Sequence, residues 1–112
     1  MLKRILLLLV VPIAVLSAQT QSEMNAQTRA EFERADAELH KTYDALLARL
    51  PDAESKKKLE DSQRAWIAFR DAEASFAADQ VRRGSPAPVL RYTSMTESTE
   101  QRIKQLKNAF RE

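Results

Sequence analysis

Apolar residues return at helical spacing through three stretches of the chain. From Ser22 to Leu50 they fall at Met24, Thr28, Phe32, Ala35, Leu39, Tyr43, Leu46 and Leu50. The steps of three and four residues trace one stripe along a helix. Ser22 is positioned to cap its start, with Glu23 near the positive helix end. Pro51 disfavours helical geometry at Leu50 and closes it. Asp52 then suits the N-cap of a second helix, expected from Ala53 to about Arg83. Its stripe is read as Leu59, Ser62, Trp66, Phe69, Ala72, Phe76 and Gln80. Glu54–Lys58 and Glu60–Arg64 have the acid-before-base spacing that supports a helix by a few tenths of a kcal/mol. Gly84 fits a left-handed position after the helix end.

Ser85-Pro86-Ala87-Pro88 makes a stiff connection to a third helix reaching about Phe110. Its stripe is Val89, Tyr92, Thr96, Thr99, Ile103, Leu106 and Phe110. Ser94 and Glu97 have capping-box spacing, so the helix is expected to break near Ser94 and restart. Each helix has one face too apolar to stand alone, and short connections make neighbours antiparallel. The fold class predicted is all-α, an elongated antiparallel three-helix bundle forming a single domain over residues 19–112.

Residues 1–18 read differently. Lys3 and Arg4 precede an apolar run from Ile5 to Leu16, and Ser17 and Ala18 are small. This is the pattern of a signal peptide cleaved near Ala18. The run is shorter than the roughly 20 residues of a membrane span, so no stable membrane insertion is expected after cleavage and the mature chain is expected to be periplasmic or secreted.

That leader changes the charge balance. Of 18 basic residues, Lys3 and Arg4 lie within it, which leaves 16 against 16 acidic residues. Bases and acids are interleaved along the helices, with no basic face for nucleic acid. The chain has no cysteine and a single histidine. Disulfides and thiolate sites are therefore excluded, and so is a histidine relay. Asp36, His40 and Asp44 share one helix face, a spacing that is read as a surface histidine beside acids, with no metal assigned. No phosphate loop or nucleophile elbow occurs. No cofactor or catalytic residue is assigned, and the protein is not read as an enzyme.

The run Gln63-Arg64-Ala65-Trp66-Ile67-Ala68-Phe69-Arg70-Asp71-Ala72 is the most informative segment. Trp66 and Phe69 lie on the expected core stripe. Arg70 is placed to reach Asp36 on the first helix, at nearly the same level across the Pro51 turn.

Taken with Met24-Asn25, Ala35-Asp36-x-x-Leu39-x-x-x-Tyr43, Gly84-Ser85 and Thr99-x-x-Arg102-x-x-x-Leu106, this run resembles the LprI-like lysozyme inhibitor N-terminal domain family. The resemblance implies an exported helical protein-binding module whose partner is a lysozyme. The motif residues carried over are Asp36, Leu39, Tyr43, Arg64, Trp66, Phe69, Arg70, Asp71, Thr99 and Arg102. Family members commonly carry cysteines where this chain has Ala26, Ala74 and Ser94, and one more before Met24. Their joint loss leaves helix packing to replace disulfides that typically contribute ~2–4 kcal/mol. An inhibitor of lysozyme must block an acidic cleft, which points to the corner Arg82-Arg83-Gly84-Ser85, since arginine pairs well with carboxylates. The alternative is an envelope structural or stress-associated helical protein without lysozyme activity. No other partner is assigned.

Overall fold

A computed structural model describes residues 13–109, with side-chain surroundings from Thr20 onward. The chain folds into three helices, α1 (Ile13–Arg49), α2 (Ala53–Asp79) and α3 (Ala87–Asn108), with no strand among the described residues. The all-α antiparallel bundle is thus the architecture. α3 packs along both α1 and α2, whereas the backbones of α1 and α2 scarcely approach each other. Leu39 and Leu46 from α1 and Ile103 and Leu106 from α3 form the buried cluster, and Tyr43, Leu59 and Trp66 close over it. Toward the other end, Phe32 and Tyr92 meet with ring centroids 6.0 Å apart.

The boundaries differ from expectation in several places. α1 runs straight through Ser22, which is an interior position and not a cap. Nothing between Ile13 and Ser22 interrupts a helix, and the nearest proline, Pro12, precedes it. Of the expected leader, residues 1–12 lie outside the described residues, and 13–18 are backbone of α1. Asp52 does cap α2: its Oδ1 accepts the Ser55 backbone N–H at 2.7 Å. That bond holds the Asp52 carboxyl below its ordinary value. The Glu54–Lys58 pair forms at 3.4 Å, but Arg64 pairs with Asp61 at 3.5 Å instead of Glu60.

α2 ends at Asp79, earlier than Arg83. The chain then unwinds through tighter bonds, Val81 N–H to Ala78 O at 3.1 Å and Gly84 N–H to Val81 O at 2.7 Å. Gly84 does not adopt positive φ. A Cβ there would sit 3.3 Å from both the Val81 carbonyl and the Pro86 ring, so the glycine supplies clearance for the corner.

The break expected near Ser94 is absent, and α3 is continuous. Its stripe from Tyr92 to Leu106 lies against both partner helices, and a restart would interrupt that burial. Thr99 is fully buried and donates its hydroxyl to the Met95 carbonyl at 2.7 Å. Phe110 lies outside the described residues.

The largest correction concerns the phase of α2. Phe69 and Phe76 are 57% and 67% exposed. The inward residues are Leu59, Gln63, Trp66, Arg70, Ala74 and Ala78, the last two buried. These alanines let α2 lie close to α3. Arg70 turns inward because aromatic faces and carboxylates receive its charge.

Candidate functional site

The motif run folds around Arg70. Its guanidinium lies between the rings of Phe32 and Trp66, with Cζ 5.3 Å from each centroid. Nη1 is 3.5 Å from Asp36 Oδ1, and Nε donates to Asp71 Oδ1 at 3.0 Å. The side chain is only 11% exposed. The same tryptophan meets a second cation from α3. Arg102 Cζ stands 5.9 Å from the Trp66 ring, while Nε donates to Gln63 Oε1 and Nη2 to Ser62 Oγ, both at 3.0 Å. Burial pushes the Arg102 guanidinium below its usual value.

Asp36, Trp66, Arg70, Asp71 and Arg102 therefore come together, with Leu39 and Thr99 buried in the adjoining packing. All three helices contribute to this cluster, α2 most of it, and its cations are already satisfied. Such an arrangement sets helix register and spacing, while the Asp36 and Asp71 carboxylates keep an open side toward water. Phe32, Gln63 and Ser62 complete it; the sequence placed them on helix stripes or in the motif run without assigning them to a site. The signal for Gln63 and Ser62 was their spacing of three and four residues from Trp66.

Three motif residues fall outside the cluster. Phe69 faces solvent, and Arg64 is exposed beside Asp61. Tyr43 is half-buried on the edge of the core. Burial raises its phenol above the ordinary value, with the Glu60 and Asp44 carboxylates adding to the effect.

Because α1 and α2 both lean on α3, a cleft of about 340 Å³ opens between them. Leu39, Tyr43 and Ile67 line it, and His40, Glu60 and Arg64 rim it. His40 Nδ1 lies 2.7 Å from the Asp36 backbone carbonyl and 3.6 Å from Asp36 Oδ2. Among the described residues no three histidine, cysteine, aspartate or glutamate side chains are grouped to hold a metal.

At the opposite end of α2, Arg82, Arg83, Gly84 and Ser85 are all exposed. Arg82 Nε lies 3.7 Å from Asp79 Oδ1. Arg83 makes no ion pair among the described residues, so its charge is available. The corner stands about 18 Å along the helix from Arg70, which separates it from the motif cluster.

The packed motif residues have a counterpart in known sequences: the family model described as Lysozyme inhibitor LprI matches residues 14–106. The chain belongs to the LprI family. A relative in Rhizobium meliloti (strain 1021) is 30% identical over 102 residues, covering 80% of this chain and 73% of its own length. That relative is described only as an uncharacterized protein. No solved structure matches the chain. The LprI match spans all three helices, so the Arg70–Trp66–Arg102 cluster, the cleft and the corner lie within the family's extent. Among the described residues no helix is long and apolar enough to cross a membrane.

Proposed function

We propose that the protein is an exported LprI-type binding module that inhibits a lysozyme, with the corner Arg82-Arg83-Gly84-Ser85 as its contacting element. The observation that carries this reading is membership of the LprI family over nearly the whole described chain. The chemistry of the corner supports it. A glycoside hydrolase cleft is built around a pair of carboxylates, and Arg83 presents an uncommitted guanidinium on a tight turn. Gly84 keeps that turn compact by leaving room for the Val81 carbonyl and the Pro86 ring. In this reading the leader is removed near Ala18, and intact-mass measurement of the exported protein finds a chain starting near Gln19.

The test is inhibition of lysozyme by the purified exported protein. Stoichiometric inhibition is expected, and R83E should weaken it by about tenfold or more, the effect of losing a charge-assisted bond. Full lysozyme activity in excess protein would refute the inhibitor reading. Inhibition untouched by R83E, R82E and S85A would move the contact away from the corner.

A further inference from the structure

We propose that the exposed face of α2 is a self-association seam that pairs two copies of this chain antiparallel. The proposal does not rest on the lysozyme reading, although Arg82 belongs to both surfaces.

Ala65, Phe69, Ala72 and Phe76 recur at steps of four, three and four along one side of α2. This is the spacing of a coiled-coil seam. The side lies nearly opposite Trp66, Arg70 and Ala74, which face the bundle. Ala65, Phe69, Ala72 and Phe76 are all exposed, so nothing among the described residues covers the seam. Large and small residues alternate along it. Run against a second copy in the opposite direction, each phenylalanine enters the space between an alanine and a phenylalanine of the other chain. Phe69 meets Ala72 and Phe76, and Phe76 meets Ala65 and Phe69.

The charges beside the seam choose both the occupant and the direction. One edge carries Asp61 and Arg64 near its start and Asp79 and Arg82 near its end. Within one copy these form the pairs Asp61–Arg64 at 3.5 Å and Asp79–Arg82 at 3.7 Å. The same antiparallel register sets Asp61 opposite Arg82 of the second copy, and Arg64 opposite its Asp79. The four charges then alternate in sign at both ends of the seam. A parallel pairing would carry the two copies of this edge to opposite sides of the seam, so these charges would not meet and the complementarity would be lost. An Asp-x-x-Arg step repeated at both ends of this edge, the second running past Asp79 into the first turn of the corner, is therefore complementary to itself in reverse. On the other edge the two Glu73 carboxylates approach near the symmetry axis and oppose association. A single helix-on-helix seam falls below the roughly 1,200 Å² of standard interfaces, so the dimer is weak and concentration-dependent.

Sedimentation of the exported protein over a wide concentration range tests this. The mass should rise from one copy to two. F69S and F76S should each weaken association about tenfold or more with helicity and thermal midpoint unchanged, because both side chains are exposed. E73Q should strengthen it. The register has its own test in a chain without native cysteine: A68C mixed with S75C should form a mixed disulfide faster than either variant alone forms its own. A mass of one copy at every concentration overturns the proposal. Association unaffected by F69S and F76S, or A68C pairing fastest with itself, overturns it as well.

Discussion

Arg70 of α2 and Asp36 of α1 meet at 3.5 Å across a gap that their backbones do not close. The two residues are unequally placed, Arg70 being 11% exposed and Asp36 32%. Arg70 also contacts two aromatic rings and Asp71, whereas Asp36 has an open side toward water.

The two truncations should accordingly differ. R70A should cost about 3 kcal/mol, since it empties a nearly buried site and removes both cation–aromatic contacts. D36A should cost about 1 kcal/mol, closer to an exposed pair. A double-mutant cycle by denaturant unfolding should give a coupling of about 1 kcal/mol. R70K keeps the charge but loses the planar fork, and should fall between wild type and R70A.

Trp66 is the only tryptophan, so its emission reports this one site. Packed on the core and flanked by Arg70 and Arg102, it should emit to the blue of a water-exposed indole. W66A should destabilise the fold by about 3 kcal/mol, the low end for a large aromatic because the ring is only partly buried. An emission maximum that does not change on unfolding would contradict this placement.

Thr96 Oγ1 is buried and has no hydrogen-bond partner among the described residues. T96V removes the hydroxyl while keeping its shape and should raise stability by about 1 kcal/mol. Thr99 is the contrast. Its hydroxyl bonds the Met95 carbonyl, so T99V should gain nothing, and thermal melts of the two variants separate the cases.

Asp52 carries a pH dependence of known sign. Its folded carboxyl titrates below the ordinary 3.8 because it accepts the Ser55 N–H. The cap's contribution is therefore complete above that value and is lost as pH falls through the lower folded value. D52A should lower the thermal midpoint at neutral pH, and its gap to wild type should close in strong acid. D52N retains an N-cap acceptor and should lack that acid-dependent component.

The stripes of α1 and α3 were legible because leucine, isoleucine, aromatic residues and threonine recur inward at plain helical spacing, though Met24 at the start of the α1 stripe is 45% exposed. The phase of α2 was not. Hydropathy places Phe69 and Phe76 inside, and the structure turns both outward, whereas Arg70, expected beside the stripe and within reach of Asp36, does make that pair and sits deeper than its charge suggests. A guanidinium can face a core when rings from two helices flank it and carboxylates meet its N–H groups, but only one of those rings is nearby in sequence. The small inward residues Ala74 and Ala78 carry little hydrophobic weight, yet they set how close α2 comes to α3. Gly84 was legible as a turn residue, while its reason, clearance from Pro86 and Val81, depends on the path taken by the corner. The α1–α2 cleft left no mark in either helix alone, because it arises from both leaning on a third.

The position of α3 between its neighbours also constrains how the bundle assembles. The α1–α2 pair is joined by the shortest connection but shares almost no backbone contact, so it does not supply a folding nucleus by itself. The productive long-range pairings all await α3. Local contacts favour α2 docking onto α3 across the Gly84 corner, with α1 adding afterwards at a greater loop-closure cost. Nascent α1 and α2 can become helical while their apolar stripes remain unburied, and the cooperative transition waits until the third helix has been made.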